Sequence, residues 1–153
     1  MVIVLLTAAL FTVDYLVKRY VNHNVKENEP AEALDEKGYI AVQRIYNEGA
    51  AMGFLRNHKS GLNVITIVAI VLFLLSIPKN YAHTGWCGKL GYAMVLGGAF
   101  NNAYERLLHG RVTDYVSFPK LPGKIKNIVF NLSDFFVMIG AVLVAVAQIK
   151  REL

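Results

Sequence analysis

The chain has 153 residues, 55% hydrophobic and 18% charged, with a formal net charge of +5. Charge this sparse and apolar content this high do not suit an ordinary soluble domain. No block of like charge is long enough for a nucleic-acid patch, and the basic balance fits loops near anionic lipid head groups. The single cysteine, Cys87, cannot form an internal disulfide.

The first candidate span covers about residues 1–22, with Asp14, Lys18 and Arg19 as its charged residues. No Lys or Arg precedes the apolar run and no small-residue cleavage pattern follows it, so it reads as a retained helix rather than a secretory signal peptide. Charges inside a membrane segment are costly and usually face the interior. Asp14 and Lys18 are four apart on one helical face and can pair. A structural ion pair is favoured, with Lys18 reaching the interface beside Arg19 as the alternative.

The first connection, about 23–60, is long and polar. Tyr39 to Tyr46 within it is rich in β-branched and aromatic residues, which predicts a short strand or hairpin. The second span, 61–77, reads "GLNVITIVAIVLFLLSI". It would be roughly 26 Å long at about 1.5 Å per residue, near the lower limit for a core about 30 Å thick. Pro78 is expected to stop it. After a short turn, the third span, about 89–108, is more polar: "KLGYAMVLGGAFNNAYERLL". Gly97, Gly98 and Ala99 permit close helix packing. Asn102 and Arg106 share a face that Glu105 can join. Read alone, these residues are helix glue plus an Arg complementing the helix dipole.

The third connection, 109–132, carries "RVTDYVSF" and "NIVF" around a turn marked by Pro119, Pro122 and Gly123. The fourth span is about 133–150. Backbone in lipid must satisfy its own hydrogen bonds, so all four spans should be helices. The expected fold is one all-α membrane domain over 1–153, with four transmembrane helices and a small β-containing region. Both large connections then lie on one side, at the mouth of the bundle. They hold more Lys and Arg than the short turn and the C-terminal end, which by count would make them cytoplasmic. That count leaves orientation open.

Two aspartates stand at the edges of the third connection. Asp114 follows the third span and Asp134 opens the fourth, so both can meet at one membrane level. Two carboxylates in close contact share a proton rather than both ionise. The charged one can take a proton from water while the neutral one hydrogen-bonds a substrate carbonyl. Each residue also has a plainer reading. Asp134 in a first turn, with Asn131 or Ser133 as N-cap, would stabilise a helix start. Asp114 could be a solvated loop acid. Other chemistries lack their parts: His23, His58, His83 and His109 are scattered without metal-ligand spacing, and no G-x-S-x-G elbow or P-loop occurs.

Five segments together resemble lipoprotein signal peptidase (signal peptidase II), the aspartyl peptidase of the bacterial inner membrane. "DYLVK" from Asp14 is similar to the family's D-Q-x-x-K, with Tyr15 for Gln. "NEGAAMGF" from Asn47 is similar to N-x-G-A-A-F-G, with Met52 for Phe. "GGAFNNAYER" from Gly97 is similar to G-G-A-x-G-N-x-x-D-R, with Asn101 for Gly and Glu105 for Asp. "GRVTDYV" from Gly110 resembles G-x-V-x-D-F, and "FNLSDFF" from Phe130 resembles F-N-x-A-D, with Ser133 for Ala. The resemblance implies Asp114 and Asp134 as the catalytic pair, and Asn47, Gly49, Asn102, Glu105, Arg106 and Asn131 as supporting or substrate-binding residues. It implies cytoplasmic termini and an active site toward the extracytoplasmic face of the inner membrane, against the charge count. The implied substrate is a prolipoprotein already carrying diacylglycerol on its lipobox cysteine, cut just before that cysteine. No metal or organic cofactor is implied. The partners expected are the lipidated substrate and membrane lipid, with no nucleic acid, and the chain is expected to be a monomer. Two rivals are an ion conduit using Asp14, Glu105 and Arg106, and an inactive protein that only captures lipidated signal peptides.

Overall fold

A computed structural model of the chain describes residues 1–49, 59–81 and 84–152. Four helices carry most of it: α1 (Val2–Asn24), α2 (Lys59–Tyr81), α3 (Trp86–His109) and α4 (Leu132–Glu152). Strands β1 (Glu32–Ala33) and β2 (Ala41–Asn47) lie between α1 and α2, and β3 (Val112–Ser117) and β4 (Val129–Phe130) between α3 and α4. They form one antiparallel sheet in the order β1-β2-β3-β4. The fold is thus mostly helical with a small antiparallel sheet, and the β2–β3 ladder joins the two large connections. The β-rich segment predicted at Tyr39 to Tyr46 is β2, shifted by a residue or two.

Helix α2 differs from expectation at its end. It runs on to Tyr81 through Pro78 instead of stopping there. Proline removes one amide and crowds one turn, but its own φ is helical, so a helix can continue past it at the cost of one bond. Helix α3 ends where Gly110 adopts the left-handed conformation, φ 69°, and its amide donates to the Arg106 carbonyl 2.9 Å away. That cap turns the chain directly into β3.

Helix α3 is the centre of the bundle, and its adjacent glycines face different neighbours. A Cβ at Gly97 would lie 2.9 Å from the Leu10 Cβ of α1, and one at Gly98 would lie 2.4 Å from the Ser133 carbonyl of α4. Further along, Gly91 and Gly140 approach each other's carbonyls, so α3 and α4 pack antiparallel along their length. The contact at Gly98 is with backbone, which cannot rotate away. Gly98→Ala is therefore expected to push the start of α4 outward and cost about 1–3 kcal/mol. Thermal unfolding in detergent would show it, and an unchanged midpoint would refute it.

Four transmembrane helices were expected, but among the described residues only α4, over Leu132–Lys150, is both long and apolar enough to cross a membrane by length and composition. The apolar run of α2, Gly61–Ile77, is shorter, and α1 and α3 carry charged and amide side chains. Those polar groups point inward: Asp14, Lys18, Asn101 and Glu105 are buried. The outer faces are apolar, with Val4, Leu5, Leu16, Val64, Ile65, Leu72, Leu75, Val142 and Ile149 among the exposed residues. Only 11% of the apolar window of α4 is buried. Buried charged and amide groups thus share the interior with apolar side chains such as Tyr92 and Leu96, while apolar helix faces lie outside, which departs from the usual soluble domain.

Candidate active site

The C-terminal ends of α1 and α3 and the N-terminal end of α4 meet the sheet at one end of the bundle. Strand pairing sets the first carboxylate. Asp114 is opposite Ile45 in the β2–β3 ladder, so Asn47, two residues on, projects from the same face as its diagonal neighbour. The Asn47 side-chain amide donates to Asp114 Oδ2 at 2.9 Å, while its own oxygen accepts the Gly49 N–H at 3.0 Å. Arg106 donates to the Gly49 carbonyl at 3.1 Å, which ties the end of β2 to α3.

The second carboxylate is set by helix capping. Asn131 is the N-cap of α4: its side-chain oxygen accepts the Asp134 N–H at 2.9 Å, and Asp134 Oδ2 accepts the Asn131 N–H at 3.1 Å. This reciprocal pair is a capping box in which asparagine and aspartate replace the usual Ser/Thr and Glu. The remaining amide of Asn131 donates to Asp114 Oδ1 at 2.7 Å. One buried asparagine therefore starts the helix, fixes Asp134 and holds Asp114. Capping and pairing, weighed as rivals in the sequence, are served by the same atoms.

Asn102 completes the set. It donates to Asp134 Oδ1 at 2.9 Å and accepts from the Lys18 ammonium at 2.8 Å. Asn47, Asn102 and Asn131 thus follow one rule: the oxygen is held by a donor, so the NH₂ is presented to a carboxylate. Asp114 is buried and Asp134 half-buried.

Behind the pair lies a buried ionic cluster. Lys18 is 3.3 Å from Asp14 and 3.0 Å from Glu105, and donates to Asn101 at 2.8 Å. Glu105 accepts from the Thr113 hydroxyl at 2.6 Å and the Thr113 N–H at 3.0 Å. Asp14 accepts from Tyr115 at 2.7 Å and from the amide and hydroxyl of Ser133. Every residue singled out in the sequence for the site lies in one of these two linked layers. Residues 50–58, including Met52, lie outside those described.

Burial, and then the nearby Asp134 carboxylate, push the Asp114 pKa up to about 7; the amides of Asn47 and Asn131 and the Lys18 charge pull the other way. Unfolded, the group would titrate near 3.9. Between those values the folded chain holds a proton that the unfolded chain has released. This group's contribution to stability is therefore full below about pH 4 and is lost as pH rises toward 7. The expected result is a melting midpoint that falls over that range, at up to about 1.4 kcal/mol per pH unit. Asp114→Asn should flatten the slope relative to wild type, and an unchanged slope would contradict the shift. Among the described residues no cluster of three or more His, Cys, Asp or Glu side chains could hold a metal ion.

The family model for signal peptidase (SPase) II matches residues 6–150. The chain belongs to the signal peptidase II family. Lipoprotein signal peptidases of Brucella ovis and Brucella abortus are 37% identical to it over 118 residues, covering 76% of this chain and 72% of theirs. Two solved bacterial membrane enzymes share the fold, at TM-scores of 0.81 and 0.79 and 20% identity, over 97% of this chain and 88% and 93% of theirs. Signal peptidase II is a membrane protease, and the apolar α4 is consistent with that.

The departures from the family motifs fall mainly in the buried layer. Asn101 accepts from Lys18 and donates to the Phe11 carbonyl at 2.8 Å; Glu105 and Ser133 touch Lys18 and Asp14 respectively. Tyr15 instead packs with Phe11 and Tyr104, at ring distances of 6.2 and 6.0 Å. Sequence reading missed Thr113 and Tyr115. Period-two alternation across Asp114 was the available signal, since both neighbours of an active-face residue must face the other way.

Proposed function

We propose that the chain is an aspartyl endopeptidase that removes the signal peptide from diacylglyceryl-modified prolipoproteins, cutting just before the lipidated cysteine. The observation that carries this reading is Asn131, which hydrogen-bonds Asp114 and Asp134 at once. In the mechanism, Asp114 and Asp134 share one proton. The ionised carboxylate takes a proton from water as its oxygen attacks the scissile carbonyl. The protonated partner hydrogen-bonds the carbonyl oxygen and stabilises the charge that develops there. The carbon–nitrogen bond then breaks, with a proton passing from the dyad to the leaving amine. Each carboxylate accepts two fixed hydrogen bonds, so the pair titrates as a unit and either can be the base.

Asn47, Asn102 and Asn131 hold the dyad, and Arg106 with Gly49 fixes the segment after β2. Glu105, Asp14 and Lys18 support it from behind, with the one ammonium shared between the two carboxylates. The outward apolar faces of all four helices support a four-span membrane domain, with lipid against those faces. In this reading the sheet lies toward the extracytoplasmic face of the bacterial inner membrane. The single-domain chain acts as a monomer, without a cofactor or nucleic acid.

The test is incubation of the purified protein in lipid with a prolipoprotein, with and without its diacylglycerol. Mass analysis should find a new N-terminal diacylglyceryl-cysteine from the lipidated substrate only, and asparagine at either aspartate should prevent it. No release by the wild type sinks the proposal.

A further inference from the structure

Asp14 lies far from the reacting carboxylates in sequence, yet it touches the immediate neighbour of each. Its Oδ1 accepts from the hydroxyl of Tyr115, the residue after Asp114, at 2.7 Å. Its Oδ2 accepts from the N–H of Ser133, the residue before Asp134, at 3.2 Å, and from the Ser133 hydroxyl. The Tyr115 oxygen in turn accepts the N–H of Leu132, the first residue of α4, at 3.2 Å. Asp14, Tyr115 and Ser133 are all buried, and Lys18 balances the Asp14 charge at 3.3 Å.

We propose that Asp14 is a common anchor for both halves of the dyad, and that the Tyr115 and Ser133 hydroxyls are positioning groups that set the distance between Asp114 and Asp134. The inference rests on the dyad reading above. Its physical basis is leverage. Adjacent Cα atoms are about 3.8 Å apart, so a strand pinned at Tyr115 cannot rotate or slide without moving Asp114. A helix start pinned at Ser133 holds Asp134 equally closely. Both pins end on one carboxylate, so the two reacting groups are fixed relative to each other rather than separately. The motifs that these segments resemble carry phenylalanine and alanine at the two positions, so both hydroxyls are additions, and both donate to Asp14.

The separation of two carboxylates has a signature of its own. Closeness drives their two macroscopic ionisations apart, and loosening brings them together. The charged groups coupled to the dyad include Asp14 and Lys18 from α1 and Glu105 and Arg106 from α3, and β3 adds the phenol of Tyr115, which burial and the Asp14 carboxylate keep protonated. Tyr115→Phe and Ser133→Ala therefore remove no charge beside the dyad.

The experiment measures kcat and KM against pH for the full chain in lipid, using diacylglyceryl-prolipoprotein, for wild type, Tyr115→Phe, Ser133→Ala, the double variant and Ser133→Thr. Each hydroxyl deletion should lower kcat by about 10-fold with KM little changed, as misplacement of reacting groups does. The alkaline limb of kcat should move to lower pH, because the shared proton is held less tightly. The double variant should lose less than the product of the singles, since both act through Asp14. Ser133→Thr, which keeps the hydroxyl, should restore rate and limb. A lower melting midpoint with wild-type kcat and unmoved limbs would make the hydroxyls merely structural and overturn the proposal. If Tyr115→Phe does not fold, the limb of Ser133→Ala decides alone. Should Asp114→Asn or Asp134→Asn keep activity, it is the dyad reading that fails instead.

Discussion

Asparagine in place of Asp114 or Asp134 should lower signal-peptide release by about 10³-fold, within the range that a positioned acid or base contributes. The substitution keeps size and shape but removes the ionisable oxygen. It also inverts hydrogen bonding. Both oxygens of Asp114 accept from side-chain amides, those of Asn131 and Asn47. A new NH₂ there must face one of them, donor against donor, leaving a buried group unpaired at about 1–3 kcal/mol. At Asp134 the same conflict arises with Asn102 or with the Asn131 N–H. Single-turnover cleavage measured alongside melting separates lost chemistry from lost fold. More than a tenth of wild-type release by a folded variant of either kind would contradict the dyad.

Lys18→Met should be the most destabilising single change in the buried layer. Lys18 lies 3.3 Å from Asp14 and 3.0 Å from Glu105, both buried. Methionine fills similar space yet leaves two carboxylates facing each other without a counter-charge. Breaking a buried pair by removing one partner costs about 3–5 kcal/mol. Activity should fall too, because Asn102 loses the donor that orients its amide toward Asp134. Thermal unfolding in detergent and the cleavage assay should decline together; a midpoint within error of wild type would show that the cluster relaxes or protonates at little cost.

The sequence showed much of this, and the reasons it stopped are specific. Long apolar runs located the helices, because a run that length has few other uses. A local pattern located β2, because β-branched and aromatic residues cluster there, whereas β3 was legible only as part of a polar connection. The helix-capping signal at Asn131 was legible, but its third hydrogen bond was not, since Asp114 is distant in sequence and meets Asn131 only through the sheet. Pro78 misled because a proline forbids one amide bond, not a helical conformation. Tyr115 and Ser133 read as ordinary connection and cap residues. Their tie to Asp14 spans most of the chain, and nothing local announces it.

The sheet and the capping box together make the span between the two aspartates adjustable in length. Asp114 is held by the ladder and by Asn131, and β3 pairs with β4 at Val116 with Phe130 and Ser117 with Val129. Within this connection, what aims the carboxylates lies in those paired and capped residues, and the remaining holds come from Asn47, Asn102 and Asp14 on other elements. The exposed tip at 119–127 contributes none of the hydrogen bonds to them. Lengthening a flexible tip costs little, about 0.6 kcal/mol per doubling. A single residue inserted within β3 is another matter: it turns Asp114 to the opposite face and brings Thr113 or Tyr115 toward Asn131. The twenty-residue interval is thus no molecular ruler; tolerance to insertion should change abruptly at Ser117 and again at Val129.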